Sequence, residues 1–135
     1  MISIEDYAGK WLNNKDWTEE CLDNAENLLD KVNALLTEAT ESGIELIKNP
    51  NTDSYISGTK YGGFRPQSCP IGAPKSSHKT GEGVDIFDRT NELDSWITDD
   101  ILEKHNLYRE SPSHTKSWVH LQTRPTKSGK RTFLP

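Results

Sequence analysis

The stretch TEECLDNAENLLDKVNALLTEATESG, residues 18–43, carries the strongest structural pattern of the chain. Thr18 is a favourable N-cap residue, and Gly43 is a favourable C-cap. Between them, apolar side chains recur at steps of three and four residues, which places them on one helix face: Leu22, Ala25, Leu28, Leu29, Val32, Leu35, Leu36 and Ala39. The pattern predicts a helix from Thr18 to about Glu41 that packs its apolar stripe on a core.

The rest of the chain combines short strand patterns with one more helical pattern. A Gly/Pro-rich stretch, Gly58–Pro74, is long for a loop, and long ordered loops often carry function. Strands are predicted at Ser54–Ser57, Gly83–Phe87, Leu107–Glu110 and Ser117–Gln122, and a helix at Glu92–His105. We therefore expect a single α+β domain over residues 1–135, with a long N-terminal helix and a second helix packed on a small, largely antiparallel sheet.

Composition limits the classes of partner. The 135 residues carry a formal net charge of −5, so we expect no nucleic-acid partner. No apolar run approaches the roughly 20 residues that span a bilayer, so we expect no membrane insertion. The amino terminus, Met1–Tyr7, lacks the basic and apolar regions of a secretory signal. We expect the protein to be made in the cytoplasm and to act elsewhere only after release.

Two smaller features bear on charge and redox state. Cys21 and Cys69 lack metal-type spacing, and we expect free thiols rather than a disulfide. Basic residues near the carboxy terminus fit either an anionic polymer such as cell wall or an ordinary solvated tail. They are Lys116, Arg124, Lys127, Lys130 and Arg131.

The segment SSHKTGEGVD, residues 76–85, is the most informative one for chemistry. It places His78 in a loop and Asp85 inside the following strand, with two glycines that permit a tight turn. A second histidine, His120, lies in the strand pattern WVHLQ, residues 118–122. If the two strands are neighbours, two imidazoles and one carboxylate converge and leave a fourth tetrahedral position for water, which is the arrangement of a catalytic zinc site. The sequence therefore predicts Zn²⁺ ligation by His78, Asp85 and His120.

Each ligand candidate also has an ordinary structural interpretation. His78 alone fits a loop histidine, and His120 alone fits a core histidine with a satisfied hydrogen bond. Asp85 is harder to explain in this way, because an inward-facing carboxylate on a strand needs a partner. We interpret His105 as a helix C-terminal residue favoured by the helix dipole.

Taken together, these residues resemble the signature of a known family. The pattern SxHxxGxGxD at residues 76–85, followed by WxH at residues 118–120, is similar to that of the zinc D-alanyl-D-alanine carboxypeptidases and dipeptidases. That family includes phage peptidoglycan endopeptidases and shares its fold with the amino-terminal signalling domain of Hedgehog. It often has Ala where Gly83 stands. The segment GFRP, residues 63–66, resembles the family's Ser-Gly-Tyr-Arg segment. KVNALL at residues 31–36 and the chain's end from Trp118 are similar to a small phage and prophage subgroup.

The resemblance implies hydrolysis of an amide bond in bacterial peptidoglycan stem peptides. The enzyme would be a D-Ala-D-Ala carboxypeptidase or an L-Ala-D-Glu-type endopeptidase that resembles a phage endolysin and acts on the cell wall. Separately from the resemblance, we expect a monomer. Arg65 would hold a substrate carboxylate through two parallel hydrogen bonds, with Ser76 as a second substrate-binding residue. Arg65 also fits an ordinary surface arginine.

The general base departs from the family's pattern. Many members have an acidic residue three positions before the last histidine, where this chain has Ser117. Glu110, at the end of a predicted strand, is the leading catalytic candidate, although it also fits an exposed strand end. His114, in the loop that follows, is a candidate for stabilising the oxyanion or moving a proton. Glu82 ranks third, because strand alternation puts it on the opposite face from Asp85.

Ser117 also keeps a second class of function open. A chain that kept the metal ligands and lost the base would be a non-catalytic zinc-binding module, such as a virion component or a wall-binding protein on the same fold. A metal-free structural domain is disfavoured, because it leaves His78, Asp85 and His120 unexplained together.

Overall fold

The computed structural model describes all 135 residues, Met1–Pro135, as four α-helices and one four-stranded sheet. This is the predicted α+β class. The α-helices are α1 Ile4–Ala8, α2 Glu19–Glu41, α3 Glu92–Trp96 and α4 Asp99–His105, and there are short 3₁₀ turns at Gly9–Trp11 and Ser77–Thr80. The strands are β1 Gly83–Phe87, β2 Tyr108–Glu110, β3 Trp118–Gln122 and β4 Thr132–Phe133.

Helix α2 begins and ends within one residue of its predicted bounds. Thr18 caps it, since its Oγ1 accepts the Cys21 N–H at 3.2 Å. At the other end Ser42 takes the cap position and Gly43 follows with a φ of +96°, a conformation that glycine adopts at little cost. The buried stripe matches the prediction except in the first turn, where Cys21 is buried and Leu22 is half-buried.

The sheet has the strand order β1-β3-β2-β4. The pairs β1–β3 and β3–β2 are antiparallel and β2–β4 is parallel, so the sheet is largely antiparallel, as predicted. The predicted strand at Ser54–Ser57 is reduced to two isolated bridges: Ser54 pairs with Asn49, and a second bridge joins Ile56 to Ile86 on the free edge of β1. Two hydrogen bonds flank the second bridge, from Phe87 N–H to Tyr55 O at 2.7 Å and from Ser57 N–H to Asp85 O at 2.9 Å.

The single helix predicted over Glu92–His105 is wrong: the structure has two helices there. Ile97 ends α3 in an extended conformation, with φ −70° and ψ 125°. Thr98 then caps α4, and its Oγ1 accepts the Ile101 N–H at 3.3 Å. The break follows from local chemistry, because a threonine side chain at an N-cap competes with continuation of the preceding helix.

The two faces of the sheet have different neighbours. Val84 and Ile86 of β1 and Val119 and Leu121 of β3 are fully buried on one face. They join the α2 stripe in one continuous apolar cluster, to which α1, α3 and α4 also contribute. The other face carries Asp85 and His120, so strand alternation alone separates the core from the candidate site.

Two other expectations concern single features. Cys21 and Cys69 are both free, as predicted, and the structure also shows them buried. None of the helices has the combination of length and apolar character that crossing a bilayer requires.

Candidate metal centre

One row of side chains crosses the sheet on its non-core face. Asp85 of β1 pairs in register with His120 of β3. The β2–β3 register pairs Arg109 with Leu121, and its next step sets Glu110 opposite His120. Glu110 in turn pairs with Phe133 of β4. Because paired residues share a face, the row reads Asp85, His120, Glu110 and Phe133 across four neighbouring strands.

His78 joins this row from the 3₁₀ turn that precedes β1. The Ser76 hydroxyl caps the turn by accepting the His78 N–H at 3.3 Å. Gly81 ends the turn with a φ of +82°, and a Cβ there would stand 2.5 Å from the Cys21 carbonyl oxygen of α2. The turn is therefore pressed against α2, and only glycine fits at its end.

The three predicted ligands converge. His78 Nε2 lies 3.2 Å and His120 Nδ1 lies 2.8 Å from the same oxygen, Asp85 Oδ1. One ligand atom from each residue lies within 4.8 Å of the other two. A tetrahedral zinc ion with bonds of about 2.0–2.1 Å needs ligand atoms roughly 3.3 Å apart. The two distances to Asp85 Oδ1 lie within about half an ångström of that spacing, so the three residues could hold a metal.

Hydrogen bonds behind both imidazoles orient them toward the centre. His78 Nδ1 lies 2.7 Å from the Gly63 carbonyl oxygen, which can only accept, so Nδ1 carries the proton and Nε2 offers its lone pair. Gln122 Nε2 donates to the Arg124 carbonyl at 2.8 Å, which turns the amide oxygen of Gln122 toward His120 Nε2, also at 2.8 Å. Nε2 of His120 therefore donates to Gln122, and Nδ1 is the nitrogen that faces the centre. Here Nδ1 donates to Asp85 Oδ1 at 2.8 Å, and it would offer a lone pair to a metal only after losing that proton.

The charges of the three ligands are coupled. Burial alone would raise the pKa of Asp85, but the adjacent His78 and His120 outweigh it and hold that pKa well below its usual range. Burial lowers the pKa of His78. Burial also acts to lower the pKa of His120, yet its hydrogen bond to Asp85 prevails and the pKa is raised. Without a metal, the centre therefore holds an Asp85 carboxylate paired mainly with His120.

The predicted substrate residues lie at the rim of the same centre. Arg65 is buried, with its Nε donating to the Tyr61 carbonyl at 2.7 Å and Nη2 standing 3.4 Å from Asp85 Oδ2. Its backbone N–H donates to the His78 carbonyl at 3.1 Å, so the loop that carries it also braces the metal-binding turn. Arg65 is thus no free surface arginine, and part of its donor capacity is directed at the Asp85 carboxylate.

The centre opens into a pocket of about 520 Å³. Its walls include Glu110 and Ser76, together with Trp118 and Phe133. The Phe133 ring packs edge-on against His120, with centroids 6.2 Å apart. Apart from Asp85, Glu110 has the only side-chain carboxylate among the lining residues.

The other acid–base candidates lie elsewhere. His114 is exposed and is not among the residues that line the pocket. Ser117 is also outside it; its backbone has a φ of +70° and donates to Asn91 Oδ1 at 3.1 Å. Glu82 pairs with Arg124 at 3.1 Å. The structure thus brings Glu110 into the pocket of His78, Asp85 and His120 and leaves His114, Ser117 and Glu82 outside it.

Sequence reasoning missed the residues that support the ligands. Gln122 lies two positions after His120 on the same strand face, so strand alternation could have found it. Gly63 acts only through its backbone carbonyl. Its close approach to the Tyr7 backbone, where a Cβ would overlap the Tyr7 carbonyl oxygen, leaves no signal other than the glycine itself. Phe133 reaches the site through the parallel pairing of β2 with β4, which no local sequence pattern predicts.

Comparison with known proteins adds no assignment. The chain matches no protein-family model, no curated protein and no solved structure. The geometry of the centre therefore carries the functional argument.

Proposed function

We propose that this protein is a zinc-dependent peptidase that hydrolyses an amide bond in bacterial peptidoglycan stem peptides. The observation that carries the proposal is the convergence of His78, Asp85 and His120 at an open pocket, with Glu110 in the same row of the sheet. Two imidazole nitrogens and one carboxylate oxygen suit zinc and leave room for water and substrate. The resemblance to zinc D-alanyl-D-alanine peptidases, carried by SxHxxGxGxD and WxH, supplies the substrate class.

The ligands and the acid–base group have separate roles. Zn²⁺, when bound, supplies a Lewis acid that polarises the scissile carbonyl and lowers the pKa of a coordinated water. Glu110 accepts the proton of the attacking water and passes it to the leaving amine, which is the work of a single carboxylate in general acid–base catalysis. Its place opposite His120 in the register supports this role, and the exposed position of His114 argues against that residue.

Arg65 acts at the substrate end of the pocket. The nitrogen that is neither bonded to Tyr61 nor near Asp85, Nη1, lies beside Gly72 on the pocket wall, where a Cβ would be 2.7 Å from it. Arg65 therefore holds a substrate carboxylate with its outer edge while its inner edge neutralises Asp85. Ser76 lines the same wall and is the second substrate contact.

The competing function is a zinc-binding module without catalysis, such as a virion or wall-binding protein. The observation that favours it concerns Ser117, which stands where many members of the similar family have the acidic base. Its backbone N–H donates to Asn91 Oδ1. The two functions share the metal and differ only in whether Glu110 works as a base.

One experiment separates them. Metal-stripped protein is titrated with zinc and then incubated with purified peptidoglycan, and new free amino groups are counted. The proposal expects one zinc per chain and release of amines that depends on zinc. Glu110→Gln should keep zinc binding and lose about 10²–10⁴-fold in rate, whereas the exposed Glu103→Gln should match wild type.

Each outcome is decisive. Zinc binding without cleavage would support the non-catalytic module. Cleavage that persists in Glu110→Gln would contradict only the assignment of Glu110 as the base. His114→Ala would then test His114 in that role. A chain that binds no zinc would overturn both functions.

A further inference from the structure

Positive charge is concentrated in the last part of this acidic chain. Residues 111–135 contain five Lys and Arg residues and no Asp or Glu, whereas residues 1–110 contain eleven Lys and Arg and all twenty-one Asp and Glu. The protein therefore presents a local cationic segment on a negatively charged body, which focuses attraction for anions on that segment.

The fold places this segment beside the metal pocket. A second pocket of about 490 Å³ lies along the connection from β3 to β4 and has no carboxylate in its lining. Gln122 and Phe133 line both this pocket and the metal pocket, so the two adjoin. We call the second pocket the lysine groove; its lining is completed by Thr126, Lys127, Ser128, Lys130, Thr132 and Leu134.

The lysines of the groove have no protein partner for their charge. Arg124 is paired with Glu82 at 3.1 Å, and Arg131 stacks on the Tyr108 ring at 4.4 Å. Lys127 and Lys130 are exposed, and their ammonium groups take part in no ion pair or hydrogen bond. The arginines are thus used inside the fold, while both lysines remain available.

The turn that carries the two lysines is held in shape by its own hydrogen bonds. Thr126 Oγ1 donates to the Lys130 carbonyl at 2.9 Å, and the Lys130 N–H donates to Ser128 Oγ at 3.3 Å. Gly129 supplies a φ of +74° and returns its N–H to the Thr126 carbonyl at 3.2 Å. The lysines therefore stand on an ordered turn at the end of the metal pocket rather than on a loose tail.

We propose that the lysine groove binds anionic oxygens of the same wall strand whose peptide enters the metal pocket. This inference rests on the proposed function for the identity of the strand. Carboxylates of the stem peptide and phosphates of an attached wall polymer share the required chemistry. Double-stranded nucleic acid is disfavoured, because two lysines on a chain of net charge −5 form a small footprint for a duplex.

The test measures binding without hydrolysis. Full-length protein is kept metal-free with a chelator and sedimented with purified cell walls that retain their phosphate polymers, over a range of salt concentrations. The groove variant is Lys127→Gln with Lys130→Gln. The matched control is Lys15→Gln with Lys48→Gln, two exposed lysines that line neither pocket.

The groove variant should bind walls roughly two- to thirtyfold more weakly at low salt, with a shallower salt dependence, while the control binds like wild type. Zinc affinity should be equal in all three proteins. Two treated wall preparations identify the ligand: one has its phosphate polymers removed with acid, and the other has its peptide carboxylates amidated. The difference in binding between wild type and the groove variant should disappear on the preparation that has lost the ligand.

Several results would overturn the proposal. The first is equal wall binding by the groove variant and the control variant, and the second is no retention of wild type on any wall. The third is a loss of binding to a DNA duplex by the groove variant that equals its loss of binding to walls. Because the assay is metal-free, failure of zinc-dependent cleavage leaves its result untouched, so the two proposals fail separately.

Discussion

The two faces of the β1–β3 pair are built from alternating residues of the same strands and have different roles. On one face Val84, Ile86, Val119 and Leu121 are fully buried under α2. On the other, Asp85 and His120 stand with polar partners around an open pocket. The difference teaches that the core face supplies the stability that lets the site face hold three ionisable groups together, an arrangement that is costly by itself.

The largest expected effects come from substituting two neighbouring residues on opposite faces of β3, His120 and Leu121. His120→Ala should abolish zinc binding, so that added zinc no longer raises the free energy of unfolding. Leu121→Ala should lower that free energy by about 2–5 kcal/mol, with and without zinc, because it opens a cavity in the core. Urea unfolding with and without zinc measures both effects. A Leu121→Ala protein that loses its response to zinc while still folded would contradict the separation of the faces.

A second prediction concerns the boundary between the metal-binding turn and β1. A Cβ on Gly83 would overlap Ser77 Oγ and stand 3.0 Å from Ser77 Cβ and 3.1 Å from His120 Cε1. Gly83→Ala should therefore cost about 1–3 kcal/mol of stability through overpacking and weaken zinc binding by displacing His120.

Ser77→Ala in the same chain removes the overlapping oxygen and should restore part of both losses. Ser77→Ala alone is the control. No recovery in the double variant would show that the added methyl acts on something other than Ser77.

A third, smaller effect is expected from the residue behind His120. Gln122→Met keeps the side-chain volume and removes the acceptor that holds His120 Nε2, so zinc affinity should fall about 10–100-fold. Gln122→Glu restores an acceptor and should keep the affinity. Chelator competition gives the dissociation constants, and Gln67→Met, at an exposed position, is the matched control. Equal zinc affinity in Gln122→Met and wild type would remove this role.

A fourth prediction concerns the dependence of zinc affinity on pH. Zinc must displace the proton of His120, whose pKa is raised chiefly by Asp85, against the opposing effect of burial. Zinc affinity should therefore fall about tenfold per pH unit once the pH drops below that raised pKa. Asp85, whose pKa is lowered, stays ionised throughout this range.

Glu110 contributes to raising the pKa of His120. In Glu110→Gln the fall in zinc affinity should therefore begin at a lower pH than in wild type. Titrations between about pH 5.5 and 8.5 compare the two. If zinc affinity begins to fall at the same pH in both proteins, the charge of Glu110 has no effect on the pKa of His120.

What the sequence determined by itself is local. Thr18, Gly43 and the apolar stripe between them were enough for α2, because capping and helical periodicity depend on neighbours within a few residues. The convergence of His78, Asp85 and His120 into a group that could hold a metal was also predictable, since each residue type and its loop or strand position fits a metal ligand. The split of Glu92–His105 was missed, although the Thr98 cap that causes it is equally local.

Only the tertiary structure decided which distant groups meet. The register that sets Glu110 beside His120 depends on how two strands pair across a loop, and the parallel pairing that brings in Phe133 depends on the path of the carboxy-terminal segment. The Gly63 carbonyl reaches His78 because loop 62–65 packs against the Tyr7 backbone. These contacts join residues far apart in the chain, and their free energy exists only after the core has formed, so no local pattern encodes them.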